Sequence, residues 1–333
     1  CQDRMRFPAI ITRMILITGG IGFIGGELVR QLSAMGQPYR YLLQPGDRKY
    51  IFPRNIDIDV AVSSLSDERG LKAALRDVDV IYHLASVEQI AGHQDLQQVE
   101  VRDVEMLAKT AYASGVRRFF YLSHLGADRA SAFGLMKAKG IAEHAIRQSG
   151  VPYTIFRSSM VYGAGDIFSA YLVGLLKVFP FVVPIPGDGS VLLQPIWVQD
   201  LAACLAWALD MPDTVNSVLE IGGPEYLSFR EVLTAIAAEI GSSKRLMQIN
   251  PLRMNRFVQY IQGLRKDFPG SAFWLDYLAE NRVCALDSLP RVFGINPARF
   301  QQKISYLKPQ KEFLIFKRRR RALASLSNNE RKK

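Results

Sequence analysis

Along the chain, short runs dense in apolar and β-branched residues alternate with longer stretches whose apolar positions recur every three to four residues. The short runs at 14–18, 38–44, 56–62, 79–85 and 117–123, and the start of 151–163, read as strands. Between them Glu27, Leu28, Val29 and Leu32 open an amphipathic helix, 66–75 reads as a second, and 96–115 as a third that ends on a glycine. Strand and helix in strict alternation predict an α/β fold, a doubly wound parallel sheet with helices on both faces. The run 14–18 has no polar break before Thr18, as a strand buried on both faces requires.

The later chain is patterned differently. Residues 166–189 are apolar and rich in aromatics and proline, 194–209 read as a strand and helix returning to the sheet, and 228–240 as a helix capped by Ser228. In 250–306, Phe257, Tyr260, Phe273, Trp274, Tyr277 and Leu278 stand at near-helical spacings and read as a core stripe. The expected organisation is a lead-in at 1–13 and a main domain at 14–162, completed by 192–222. A smaller, helix-rich C-terminal lobe takes 163–191 and 223–307, and a basic tail 308–333.

Between the first strand and its helix stand Gly19, Gly22 and Gly25, spaced by three. Glycines there let backbone approach a ligand where a Cβ would clash, and the helix N-terminus turns free N–H groups and its dipole toward an anion. The stretch from Thr18 to Gly25 is therefore a candidate pyrophosphate site, with Phe23 and Ile24 inside it.

The order T-G-G-x-G-F-I-G over Thr18–Gly25 resembles that of the extended and atypical short-chain dehydrogenases/reductases. The resemblance implies a Rossmann sheet that binds NAD(P) at its carboxyl edge, with the C-terminal lobe holding substrate. Leu84, Ala85 and Ser86 match the family's run whose backbone passes the cofactor, which makes His83 a packed strand residue. Gln44 ends the second strand where a carboxylate would select NAD(H), and Arg48 and Lys49 follow, so NADP(H) is favoured. A solvated turn with incidental charges is the alternative. Ser63 and Ser64 stand where the family commonly has an adenine-facing Asp.

The same resemblance implies a Tyr and a Lys four residues apart on the helix after the fifth strand, the lysine lowering the phenol's pKa. Here the matching pair is Phe133 and Lys137, and the partner Ser or Thr falls on Leu125. Lys137 keeps a role toward the nicotinamide ribose, Ser123 and Ser158 border the nicotinamide, and His124 is a candidate surrogate acid. Tyr162 reads as an aromatic at the lobe interface and Asp200 as a helix N-cap. These features look most like the branch of the nucleotide-binding accessory subunit of mitochondrial complex I and its bacterial relatives. The expectation is NADP(H) binding with weak or no standard dehydrogenase turnover. The alternatives are an NADPH-dependent reductase of an apolar carbonyl or quinone-like substrate, and a cofactor-sensing regulatory or assembly protein.

Charge changes the picture only at the C-terminus. The net charge is +11 over 333 residues. Residues 308–333 carry ten Lys/Arg against two Glu, so +8 lies in the tail and +3 in the body. The run FLIF at 313–316 beside KRRRR at 317–321 reads first as a solvated, disordered tail, with an anionic membrane surface as the next candidate partner and nucleic acid a poor one. Three scattered cysteines, Cys1, Cys204 and Cys284, give neither a disulfide framework nor a metal site. The apolar run 167–185 is broken by Lys177, Pro180 and Pro184, so no transmembrane helix is expected. Residues 1–13 lack the layout of a signal peptide. The expected setting is cytoplasmic, with a peripheral place at the inner face of a membrane as the alternative.

Overall fold

A computed structural model describes residues 13–45, 58–86, 96–264 and 272–308. The strands in chain order are β1 (Ile15–Thr18), β2 (Tyr39–Leu43), β3 (Asp59–Val62), β4 (Val80–His83), β5 (Arg118–His124), β6 (Tyr153–Ser158), β7 (Val161–Tyr162), β8 (Val182–Pro186), β9 (Leu192–Leu193), β10 (Ile196–Trp197), β11 (Ser217–Ile221), β12 (Leu227–Ser228) and β13 (Arg245–Ile249). The helices used below are α1 (Phe23–Ala34), α2 (Glu68–Ala74), α3 (Asp103–Ala113), α4 (Gly134–Gln148), α5 (Ile167–Val178), α6 (Val198–Trp207), α7 (Phe229–Glu239), α8 (Pro251–Leu264), α9 (Ala272–Tyr277) and α10 (Ser288–Phe293).

Seven strands form one parallel sheet in the order β11-β6-β5-β4-β1-β2-β3. The order reverses between β1 and β4, the switch point at which such sheets open a crevice at their carboxyl ends. Side-chain alternation divides the sheet cleanly. Ile15 and Ile17 join the core under α1 and α6, whereas Leu16 joins the core under α2, α3 and α4. The sheet is thus buried on both sides, which explains why β1 is apolar up to Thr18.

A second core lies in the C-terminal lobe, where α5 and α7 pack with Leu193, Val183, Ile185, Tyr277 and Phe300. Ser228 caps α7 in a reciprocal capping box with Glu231. Tyr162 is fully buried in this lobe core, with its ring 4.8 Å from that of Phe300.

Several expectations are corrected. Helix α1 begins at Phe23, with Gly22 as its N-cap, four residues before Glu27. The strand within 194–209 pairs with β7 instead of joining the sheet, and only α6 returns to it. Asp200 lies in the first turn of α6, whose N-cap is Trp197, and accepts a hydrogen bond from the Ala298 N–H at 2.8 Å. Leu289 and Phe293 of α10, expected in the lobe, pack on the main sheet. In the aromatic stripe, Trp274, Tyr277 and Leu278 are in the lobe core, but Phe257 and Tyr260 are exposed, 47% and 68% respectively. The side chain of Phe273 lies outside the described residues, as do Cys1 and the tail from 309 onward.

No helix among the described residues is long and apolar enough to cross a membrane. Among the same residues no cluster of His, Cys, Asp and Glu could hold a metal ion.

Candidate functional site

The β1–α1 turn is built by backbone alone. Gly19 has φ +69°, and a Cβ on it would stand 2.7 Å from the Ala85 nitrogen. A Cβ on Gly25 would stand 2.5 Å from the Gly19 carbonyl oxygen and from the Gly20 Cα. Gly20, which the spacing-of-three pattern passes over, leaves 2.7 Å to the Tyr41 ring and is equally committed. Gly22 donates its N–H to the Gly19 carbonyl at 3.0 Å and caps α1 without any side-chain bond. The result is a turn of bare backbone in front of a helix N-terminus that no side chain caps, at the switch point of the sheet. Among the described residues its floor is the backbone of Leu84 and Ala85, with the Leu84 N–H donating to the Thr18 carbonyl at 3.1 Å.

Thr18 is buried, and its hydroxyl lies 2.6 Å from Nδ1 of His83. Burial, aided by the nearby charge of Lys139, lowers the His83 pKa to about 3, so this imidazole is neutral and structural. Ser86 donates to Glu100 Oε1 at 2.7 Å, and Glu100 Oε2 pairs with the Lys139 ammonium at 2.9 Å in a site closed to solvent. Lys139 also donates to the Leu122 carbonyl at 3.3 Å, tying α4 to β5. Gln44 sits half-buried just beyond β2, and Arg48 lies outside the described residues.

A cleft opens beside the turn toward the lobe. Phe23, Ile24, His124, Ser158, Asp166, Trp274 and Tyr277 all line it. The His124 ring meets the Tyr277 ring edge-on, 6.1 Å between centroids. Ser158 donates to the Ser123 carbonyl at 3.4 Å. Asp166 caps α5 and accepts from the Gly163 N–H and from the Tyr306 hydroxyl at 2.7 Å, and its burial raises its pKa above the usual carboxylate range. The structure thus brings together Phe23, Ile24, His124 and Ser158 of the expected set.

It separates two others. Ser123 faces α4, where its hydroxyl donates to Glu143 Oε1 at 2.7 Å. That carboxylate is held by Arg157 through two bonds of 2.9 and 2.7 Å and by Arg147 at 2.8 Å. Lys137 is exposed on the outer side of α4, and Phe133 is that helix's N-cap, with its ring 5.9 Å from the buried guanidinium of Arg282. The lysine that α4 buries is Lys139. The signal for it lay in the helical period: Leu135, Lys139, Ala142 and Ile146 are all buried on one stripe, which Lys137 misses.

A family model described as NmrA-like matches residues 12–292. The chain belongs to the NmrA-like family. This places the NmrA-like chain among the NAD(P)-binding atypical short-chain dehydrogenases/reductases. It is 28% identical over 229 residues to a mitochondrial NADH dehydrogenase [ubiquinone] 1 alpha subcomplex subunit 9 of Arabidopsis thaliana, covering 65% of this chain but 55% of the plant protein. An NAD(P)H azoreductase of Xenophilus azovorans is 27% identical over 291 residues, 86% of this chain and 94% of its own length. Among solved structures, the fold is similar to UDP-glucose 4-epimerase of Thermus thermophilus in complex with NAD, with TM-score 0.64 and 22% identity over 88% of this chain and 97% of that one.

The NmrA-like cleft departs from a Tyr–Lys enzyme in one respect that does not depend on which lysine is chosen. Four residues before Lys137 is Phe133, and four before Lys139 is Leu135. Neither carries a hydroxyl.

Proposed function

We propose that the chain binds a nicotinamide dinucleotide along the carboxyl edge of the sheet, takes NADP(H) in preference to NAD(H), and turns over standard dehydrogenase substrates weakly or not at all. The observation that carries binding is the glycine turn, where Cβ atoms on Gly19 or Gly25 would collide with backbone and one on Gly20 with the Tyr41 ring. A pyrophosphate there would face the first N–H groups of α1. The absence of a carboxylate at Gln44 favours the 2′-phosphate of NADP(H). Weak turnover follows from the missing phenol before either α4 lysine. Such a protein would serve as a redox sensor or assembly factor through its bound cofactor.

The test is a titration of the purified protein with NADPH and NADH, following nicotinamide fluorescence. NADPH should bind more tightly, and Gly22→Val should remove binding of both. Equal affinities overturn the NADP(H) preference, and retained affinity in the variant overturns the site.

One observation favours a second reading, an NADPH-dependent reductase of an apolar carbonyl or quinone-like molecule. His124 and Tyr277 share a cleft whose remaining walls are mostly apolar, Phe23, Ile24 and Trp274 among them, with Ser158 and Asp166 as the polar exceptions. Relatives named as reductases fit it, among them a ceramide reductase of Caulobacter vibrioides that is 27% identical over 71% of this chain. The bound cofactor would supply hydride to the carbonyl carbon, and His124 would donate the proton to its oxygen. Under this reading His124→Ala abolishes turnover and leaves cofactor affinity intact; an unchanged rate rejects it.

A further inference from the structure

The lobe carries a second hollow that the cofactor reading does not use. It is an apolar groove between α5, β8, β13 and α8, walled by Leu175, Phe179, Val182, Met254, Phe257 and Val258. Its rim is unusually exposed for apolar residues. Phe181 is 80% exposed, Leu252 74% and Tyr260 68%, with Val178, Met247 and Phe257 about half-exposed. These are six of the thirteen exposed large apolar side chains among the described residues, on α5, β13, α8 and the segment just before β8. Exposed apolar side chains concentrated on the elements around an apolar groove point to an interaction surface.

Its charge identifies the occupant. Residues 167–187 and 241–264, which supply α5, β8, β13 and α8, contain five cations and no acidic residue. Lys177, Arg245, Arg253 and Arg256 are exposed, and Arg253 lines the groove itself. Lys244, the fifth, is turned inward to the Leu176 carbonyl. The last described residue, Lys308, pairs with Glu239 at 3.4 Å, and Glu239 ends α7 six positions before β13 begins. The tail from Lys308 onward carries a net +8 and the FLIF run. A second copy would set these cations against themselves across a two-fold axis. The tail's own FLIF segment would bring KRRRR against them. Both occupants are opposed by charge.

We propose that this face docks the lobe on an anionic phospholipid bilayer, with one lipid acyl chain lying in the groove. Apolar side chains between cations are what an interfacial surface requires, because the two contributions add. The groove also runs toward the cofactor cleft. Tyr171, one of its walls, stacks on Trp274 at 6.3 Å, and Trp274 lines the cleft beside His124. The docking proposal stands on the rim and the groove alone and does not depend on the cofactor reading.

The experiment is co-sedimentation of the full-length protein with vesicles of phosphatidylcholine alone or mixed with phosphatidylglycerol, with NADPH affinity as the control for folding. Binding to the mixed vesicles only is expected. Neutralising two cations as Arg253→Gln with Arg256→Gln should weaken it roughly 30-fold at low salt, and Leu252→Glu with Phe257→Glu should abolish it, all with NADPH affinity unchanged. Vesicles with bromine-labelled phosphatidylglycerol chains should quench tryptophan fluorescence in the wild type and not in Trp274→Phe. No binding to mixed vesicles overturns the proposal. So does binding that survives both lobe variants but is lost when Arg318, Arg319 and Arg320 are changed to Gln, which would assign it to the tail alone. A wild-type dimer in solution that Leu252→Glu with Phe257→Glu converts to monomer, without vesicle binding, assigns the face to a second copy. Binding without bromine quenching overturns the acyl-chain site.

Discussion

Gly25 and Gly26 are neighbours on α1 and make a paired test of the glycine turn. A Cβ on Gly26 meets nothing within 4 Å, and the residue is exposed. Gly26→Ala should therefore show only the gain from replacing glycine inside a helix, about 0.5–1 kcal/mol. A Cβ on Gly25 meets the Gly19 oxygen and Gly20 Cα at 2.5 Å and the Gly20 carbonyl carbon at 2.6 Å. Carbon atoms in contact prefer about 3.5–4.0 Å. All three neighbours are backbone, so no side chain can swing aside, and the first turn of α1 must retreat by about 1 Å.

The strain costs about 1–3 kcal/mol, partly offset by the same helix gain, so Gly25→Ala should be neutral to about 2 kcal/mol destabilised. The larger effect is on the ligand. A retreat of about 1 Å takes N–H donors at the start of α1 out of reach of a phosphate, and each charge-assisted hydrogen bond lost is worth about 1.5–3 kcal/mol. NADPH affinity should fall roughly 10- to 150-fold per bond, while Gly26→Ala keeps wild-type affinity and a raised melting temperature. The assay is nicotinamide fluorescence for affinity and thermal unfolding for stability, on both variants side by side. If Gly25→Ala binds NADPH within about twofold of wild type and melts as high as Gly26→Ala, the turn is not a phosphate cradle.

Three further outcomes follow from the polar groups around the cleft. Lys139→Met leaves the Glu100 carboxylate buried without its cation and should cost about 3–5 kcal/mol in urea unfolding, whereas Lys137→Met on the exposed side should change stability by less than about 0.5 kcal/mol. His83, pushed down to about 3 in the fold from an ordinary value of 6.5, binds its proton more readily in the unfolded chain. Its contribution to stability is thus complete above pH 6.5 and is lost as pH falls from about 6.5 toward 3, with a slope of at most about 1.4 kcal/mol per pH unit; His83→Gln should lack that limb in acid titrations followed by circular dichroism. Phe133→Tyr should create no dehydrogenase activity in an NADP reduction assay, because the lysine one turn on is exposed, and a clear gain would restore Lys137 as the functional partner.

The sheet was legible because burial on both faces leaves strands no choice but continuous apolar runs, and β1 and β4 are such runs. The start of α1 was not, since Phe23, Ile24 and Gly25 look like part of a glycine loop when they are its first turn. Pair spacing alone points to Phe133 and Lys137, whereas the period of α4 puts Lys139 on the buried stripe and leaves Lys137 off it. Asp200 misled in a related way: an acceptor in the first turn reads like a cap until the true start, Val198, is known. The exposed Phe257 and Tyr260 mark a different boundary of such reading. Helical spacing says that residues share a face, but not whether protein covers that face.

The buried ion pair also bears on whether restoring a phenol would restore chemistry. In a Tyr–Lys pair the lysine cation favours the ionised phenol and so lowers its pKa. Lys139 already spends its charge on Glu100 at 2.9 Å, within a pair closed to solvent. A phenol introduced one turn back, at Leu135, would meet the field of a neutral pair, which falls away faster with distance than that of a free cation. It would also displace a leucine from the lobe core. On the proposed reading, weak dehydrogenase turnover would thus reflect the charge arrangement around Lys139 as well as the absence of a hydroxyl. Ser86, Glu100 and Lys139 now bind together β4, α4 and β5 beneath the cofactor edge. The same groups that would activate a tyrosine hold the binding surface rigid, so cofactor affinity should outlast any attempt to install catalysis by a single substitution.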